Sequence, residues 1–170
     1  MMFDRRLTNF LLIIAPGLLL FSGHAVAQQR PLKDQILGAW TLVTADKLNY
    51  GARYQAFGQD QKGIAIFDAS GRYVFSFADP GVPKFAGGNR TGGSADENKA
   101  AMEGALSHFG TFSINENERS FTLKIDGSSF PNLTGTEEKQ TFTLSSDDLK
   151  WTTPETPDGS TFEFAWKRAK

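Results

Sequence analysis

Gly38-Ala39-Trp40 opens the first strand-like run of the chain, and Phe162-Glu163-Phe164-Ala165-Trp166-Lys167-Arg168 closes the last. Side chains alternate sides along a strand, so Phe162, Phe164, Trp166 and Arg168 share one face while Glu163 and Lys167 take the other. Between these two stretches the same alternation recurs. Eight runs in all can be read, over residues 40–45, 63–68, 72–78, 110–115, 120–126, 139–144, 149–153 and 161–167. Phe121, Leu123 and Ile125 oppose Thr122, Lys124 and Asp126; Phe142 and Leu144 oppose Thr141 and Thr143; Phe112 and Ile114 oppose Thr111 and Ser113. One apolar and one polar face per strand is the pattern of an antiparallel sheet curled around its own core. Turn residues join most neighbours, as in Asp68-Ala69-Ser70-Gly71, Asn115-Glu116-Asn117-Glu118, Ser145-Ser146-Asp147-Asp148 and Pro157-Asp158-Gly159. Short connections make successive strands antiparallel neighbours. The expected fold is therefore all-β, an eight-stranded antiparallel up-and-down β-barrel, preferred to a tightly folded sandwich.

Two stretches interrupt the meander. Residues 47–62 carry Tyr50, Tyr54 and Phe57 in polar sequence, and residues 79–107 form a longer insertion. The latter contains Gly87-Gly88-Asn89-Arg90-Thr91-Gly92-Gly93 and then one short helix before the fourth strand, expected over residues 95–106. Ser94-Ala95-Asp96-Glu97 is a capping box, which fixes the start of that helix. A connection of this length suits a lid, with Arg90 a candidate gate. Residues 34–37 suit a single helical turn before the first strand.

Residues 1–27 read as a secretory signal peptide. Arg5 and Arg6 precede an apolar run over residues 10–21, and Ala25-Val26-Ala27 is an A-x-A cleavage signal. The run is shorter than the roughly 18–20 residues of a membrane span and contains Pro16. Residues 28–170 then form one mature domain with no membrane span, secreted or periplasmic. Its net charge is −2 once Asp4, Arg5 and Arg6 are removed from a chain of net −1. That balance, with no clustered basic face, excludes a nucleic-acid partner. The absence of cysteine in an exported domain fits a bacterial periplasm, since small extracellular domains usually rely on disulfides. A monomer is expected.

Little in the sequence carries chemistry. No cysteine and a single mature histidine argue against a zinc or iron site, and no metal or cofactor is expected. The glycine-rich stretch lacks the Gly-Lys-Ser/Thr ending of a phosphate loop, and there is no Gly-x-Ser-x-Gly elbow. The pairs Glu116/Glu118, Glu137/Glu138 and Asp147/Asp148 lie in turns or at strand starts and read as solvated surface. His108 reads as a rim residue that ends the helix through its dipole, the alternative being a polar anchor or general base in a cavity. Tyr73, Phe75, Phe77, His108, Phe112, Phe121, Leu123, Phe142, Trp151 and Phe164 are the candidate ligand-binding set. On these residues alone they could line a pocket or fill the barrel completely, and both alternatives stay open.

The chain resembles a known family. Leu37-Gly38-Ala39-Trp40-Thr41-Leu42-Val43, Gly63-Ile64-Ala65-Ile66-Phe67-Asp68-Ala69-Ser70-Gly71, Phe109-Gly110-Thr111-Phe112-Ser113-Ile114 and the block over residues 132–149 are similar, in that order, to the elements of the bacterial and fungal lipocalin-like domain family. The resemblance departs from the family at Gln140 or Lys139, where an Arg is common. It implies an up-and-down barrel and little chemistry. In lipocalins a basic side chain late in the last strand packs over the first-strand Trp, which implies that Trp40 and Arg168 close the barrel. Arg168 has the parity to do so, and such a cation–π contact contributes roughly 0.5–2 kcal/mol. The functional expectation is an exported barrel binding a small apolar or amphipathic molecule. The alternatives are an isomerase or cyclase using Tyr73, His108 or an inward acid as proton carrier, and a structural envelope domain with a filled core. A cavity above roughly 300 Å³ would favour binding or catalysis over the filled core.

Overall fold

A computed structural model describes residues 30–58 and 60–170. The leader read over residues 1–27 lies outside these. Among the described residues nine strands form one antiparallel sheet: β1 (Gly38–Asn49), β2 (Ala52–Gln55), β3 (Lys62–Phe67), β4 (Arg72–Ala78), β5 (Ala105–Asn115), β6 (Ser120–Ser128), β7 (Glu137–Leu144), β8 (Asp148–Thr152) and β9 (Thr161–Arg168). Their order is β2-β1-β3-β4-β5-β6-β7-β8-β9, and β1 also pairs with β9. That last pairing closes β1 and β3–β9 into an eight-stranded barrel and removes the free edges an open sheet would expose.

The barrel has the eight strands expected, and β2 is a ninth strand added outside it. Residues 47–62 are not simply a polar loop: β1 continues to Asn49 and turns back through Tyr50-Gly51 into β2, with Asn49 opposite Ala52. Tyr50 and Gly51 both have positive φ, 45° and 79°. A two-residue turn of that hand matches the right-handed twist of the flanking strands. β1 pairs with β3 only from Gly38 to Thr41; beyond that β3 diverges, and β2 covers the exposed edge of β1 from Asp46 to Asn49.

A bulge between Leu42 and Thr44 shifts the parity of β1. Trp40 and Leu42 face inward before it, Ala45 after it, and Val43 stands out in solvent. The bulge keeps the inner face of β1 in step with Trp166 and Phe164 of β9, which oppose Leu42 and Ala45.

Antiparallel alternation gathers the connections at two ends. Short turns at residues 68–71, 116–119 and 145–147 lie at one end with α1 (Leu32–Ile36), whose Ile36 is fully buried. The longer connections at residues 50–61, 79–104, 129–136 and 153–160 lie at the other. At the α1 end Trp40 Nε1 donates to the Ile36 carbonyl (2.8 Å), and the Arg168 guanidinium carbon stands 4.2 Å from the Trp40 ring centroid.

The inserted helix α2 (Ala95–Glu103) starts with both bonds of the capping box: Glu97 N donates to Ser94 Oγ and Ser94 N to Glu97 Oε2. It stops earlier than the expected residue 106. Gly104 ends it, a Cβ there would collide with Val82 Cγ2, and Asp79 N donates to the Gly104 carbonyl (2.7 Å). Residues 105–109 are taken into β5 instead, where they pair with residues 74–78 of β4. Strand pairing over seven opposed residues outweighs less than one further turn of a helix with no buried side chain.

Candidate functional site

The barrel encloses a cavity of about 480 Å³ that opens at the end away from α1. Its apolar wall comes from inward residues of several strands. Phe67 of β3, Phe75 of β4, Phe121 and Leu123 of β6, Trp151 of β8 and Phe164 of β9 all line it. The mouth is bordered by Phe57, by Leu133 in the single-turn segment Pro131–Leu133, and by residues 153–157 of the β8–β9 connection. That connection is held by Asp158, which accepts from Lys47 Nζ (2.8 Å) and Thr156 Oγ1 (2.6 Å). The Lys47 and hydroxyl contacts hold the Asp158 carboxyl well below the usual carboxylate range.

Seven of the ten candidate residues line this space: Tyr73, Phe75, His108, Phe121, Leu123, Trp151 and Phe164. The other three are buried but do not line it. Phe77 is packed between Phe57 and Phe164, Phe112 meets Phe67 edge-on at 5.0 Å, and Phe142 stacks on Phe121 at 5.6 Å. The interior is thus partly filled and partly hollow. Residues 79–104 contribute nothing to the lining, and Arg90 is exposed, so neither the long insertion nor Arg90 covers the mouth.

His108 is not a rim residue ending the helix. It lies four residues beyond Gly104, opposite Phe75 within the β4–β5 ladder, and is 5% exposed. Its Nδ1 shares a hydrogen bond with Tyr73 Oη at 2.9 Å. Burial pushes the imidazole pKa down to about 4, so the ring is neutral at pH 7. Burial also raises the Tyr73 hydroxyl, and the charge of Glu138 adds to that shift.

Glu138 departs from the surface assignment given to the Glu137/Glu138 pair. Glu137 is exposed, but Glu138 is half-buried and lines the cavity, and its burial raises the carboxyl pKa. Gln140, two residues on, is 3% exposed and donates from Nε2 to Glu138 Oε2 (3.0 Å). Alternation along β7 from Phe142 back through Gln140 to Glu138 is the signal that places both inward; two polar residues at a strand start hide it.

The residues of this barrel match the lipocalin-like domain family profile over 37–169. The chain belongs to the lipocalin-like domain family. Ten solved chains match, among them lobster apocrustacyanin A1 at 15% identity and a TM-score of 0.38, covering 80% of this chain and 62% of that one. The chain therefore spans less than two thirds of the length of apocrustacyanin A1. No curated protein matches.

The neutral histidine of this lipocalin-like barrel makes its stability pH-dependent. The unfolded chain protonates His108 near pH 6.5 and the folded one only near 4, so the unfolded state binds more protons between these values. Stability should fall as pH drops from 6.5 towards 4, by up to about 3 kcal/mol at the 1.36 kcal/mol per pKa unit of the linkage relation. The raised carboxyl of Glu138 acts in the opposite sense, since its shift is relieved on acidification. His108→Gln keeps Glu138 and an acceptor for Tyr73 but does not titrate. Urea titrations of both proteins from pH 7 to 4 should show the acid loss in wild type and a flatter profile in the variant. Parallel profiles would rule the histidine out as the source.

Proposed function

We propose that this protein is an exported barrel that binds a small apolar or amphipathic molecule in its interior. The observation that carries the proposal is the 480 Å³ cavity, open at one end and walled by aromatic rings with a few polar groups. Small-molecule sites run from roughly 300 to 1,000 Å³ and have this composition. A structural domain with a filled core has no use for such a space. Export rests on the leader over residues 1–27.

Trp151 lines the cavity and stacks on Trp166 at 4.8 Å, so a bound ligand should quench or shift tryptophan emission. Protein purified from its own host should carry a co-purifying small molecule by native mass spectrometry and begin at Gln28. Leu106→Trp, which narrows the cavity from β5, should weaken binding at least tenfold while thermal stability is kept. Absence of any co-purifying molecule, with no fluorescence response to a panel of apolar compounds, would overturn the binding role.

The Tyr73–His108 contact inside the cavity favours one second reading, in which the pair moves a proton on a bound ligand. Catalysis would convert the ligand to an isomer of unchanged mass, and Tyr73→Phe would abolish the conversion. Recovery of the ligand unaltered after prolonged incubation would leave binding alone.

A further inference from the structure

We propose that the cavity selects ligands whose polar end donates hydrogen bonds, a hydroxyl or an amine, and disfavours a carboxylate, through Gln140 and Glu138 on β7. The inference rests on the reading of the cavity as a ligand site. Gln140 and Glu138 both line the cavity, opposite Phe121 and Leu123 of β6. The Gln140 amide spends its Nε2 on Glu138, while its Oε1 is buried without a hydrogen-bond partner among the described residues. An unpaired buried acceptor is costly, and a donor brought by a ligand removes that cost. The terminal torsion of a glutamine side chain is broad, so the amide can turn its oxygen to a ligand at the expense of its Nε2 bond to Glu138.

The charges around the cavity point the same way. Glu138 is its inward acid, half-buried and close enough to Tyr73 to influence its hydroxyl. Tyr73 Oη and His108 Nδ1 already share a hydrogen bond. The nearest cation on the same strand, Lys139, borders the cavity but is exposed and ion-pairs with Glu118 at 2.5 Å. A carboxylate head would therefore sit beside Glu138, with the nearest cation already paired to Glu118, and would leave the Gln140 oxygen unpaired. A hydroxyl donates to Gln140, and an ammonium can in addition neutralise Glu138.

The test compares decan-1-ol, decylamine and decanoate at pH 8, followed by tryptophan fluorescence and calorimetry on the mature protein. The alcohol and the amine should each bind at least tenfold more tightly than decanoate. Gln140→Leu should bring the alcohol down to the level of decanoate, and Glu138→Gln should improve decanoate severalfold. The three-ligand comparison on wild type stands even if a variant fails to fold. Decanoate binding as tightly as the alcohol, in a protein that binds all three, would overturn the head-group assignment and leave the binding role intact. Preference for the amine alone would overturn the Gln140 hydrogen bond. Failure of all three to bind would overturn the binding role and this inference with it.

Discussion

Trp40→Ala is expected to remove about 3–5 kcal/mol of folding stability, the range for truncating a fully buried aromatic side chain. Trp40 has no solvent exposure, and it ties three elements at the closed end of the barrel. Its indole N–H holds the Ile36 carbonyl at the end of α1 (2.8 Å), and Ala in its place would leave that carbonyl unpaired. Arg168 lies over the ring and donates to the carbonyls of Gln35 (2.8 Å), Leu37 (3.0 Å) and Ser146 (2.9 Å). The guanidinium fork thus bridges the end of α1 and the β7–β8 turn while stacking on Trp40. Arg168→Lys should lose about 1–2 kcal/mol despite the retained charge, because an ammonium point charge cannot serve three carbonyls and a ring face together. Urea melts at fixed pH check both values. A Trp40→Ala protein that unfolds at the wild-type midpoint would show that α1 and the stack do not hold the barrel shut.

Gly110→Ala should be nearly as damaging, about 3 kcal/mol, although it adds one methyl group and Gly110 has no unusual φ. At this point β6 holds an extra residue: Phe109 opposes Gly127, Gly110 opposes Ile125, and Asp126 is unpaired between them. The bulge draws the β6 backbone against Gly110. A Cβ would collide with the Lys124 carbonyl and stand 2.9 Å from Asp126 N. Both obstacles are backbone atoms of a paired strand, so relief requires a shift of the ladder and not a rotamer change. The β5–β6 ladder is also where Leu123, Ile125 and Phe121 enter the core, and a displaced ladder would disturb the cavity wall. Gly87→Ala, where a Cβ would meet nothing, is the matched control and should be neutral within about 0.5 kcal/mol. Equal melting curves for the two variants would show that β6 can retreat from Gly110 without cost.

Alternation was enough to orient most of the interior. The inward rows of β6 and β9 followed from residues 121–125 and 162–166, because in an antiparallel sheet with one solvated face the apolar row must be the buried one. The rule fails where a strand slips. The bulge beside Val43 moves the buried row of β1 from even to odd positions, and the local sequence carries no mark of it; the shift exists to match β9, more than a hundred residues away. β7 hid the start of its inner row for another reason. Glu138 read as solvated surface, yet register with Phe142 turns it inward together with Gln140.

His108 shows the same division between local and long-range causes. A helix running to residue 106 would have placed it at a helix end, where the dipole accounts for a histidine. The β4–β5 pairing instead carries it into the barrel beside Tyr73, a residue thirty-five positions earlier. Its neutrality is a property of that burial, not of the surrounding sequence.

The sequence by itself determined the family, the barrel class and the residues of the closed end, because strand alternation, turn chemistry and the opening Gly38-Ala39-Trp40 are local signals. Only the tertiary structure decided how much of the barrel is hollow. The volume left by a dozen aromatic rings depends on which of them stack with one another, and Phe77, Phe112 and Phe142 do so outside the cavity lining while Phe75, Phe121, Trp151 and Phe164 stay at its wall. Packing of this kind is set by side chains from different strands meeting in space, and no single stretch of sequence contains it.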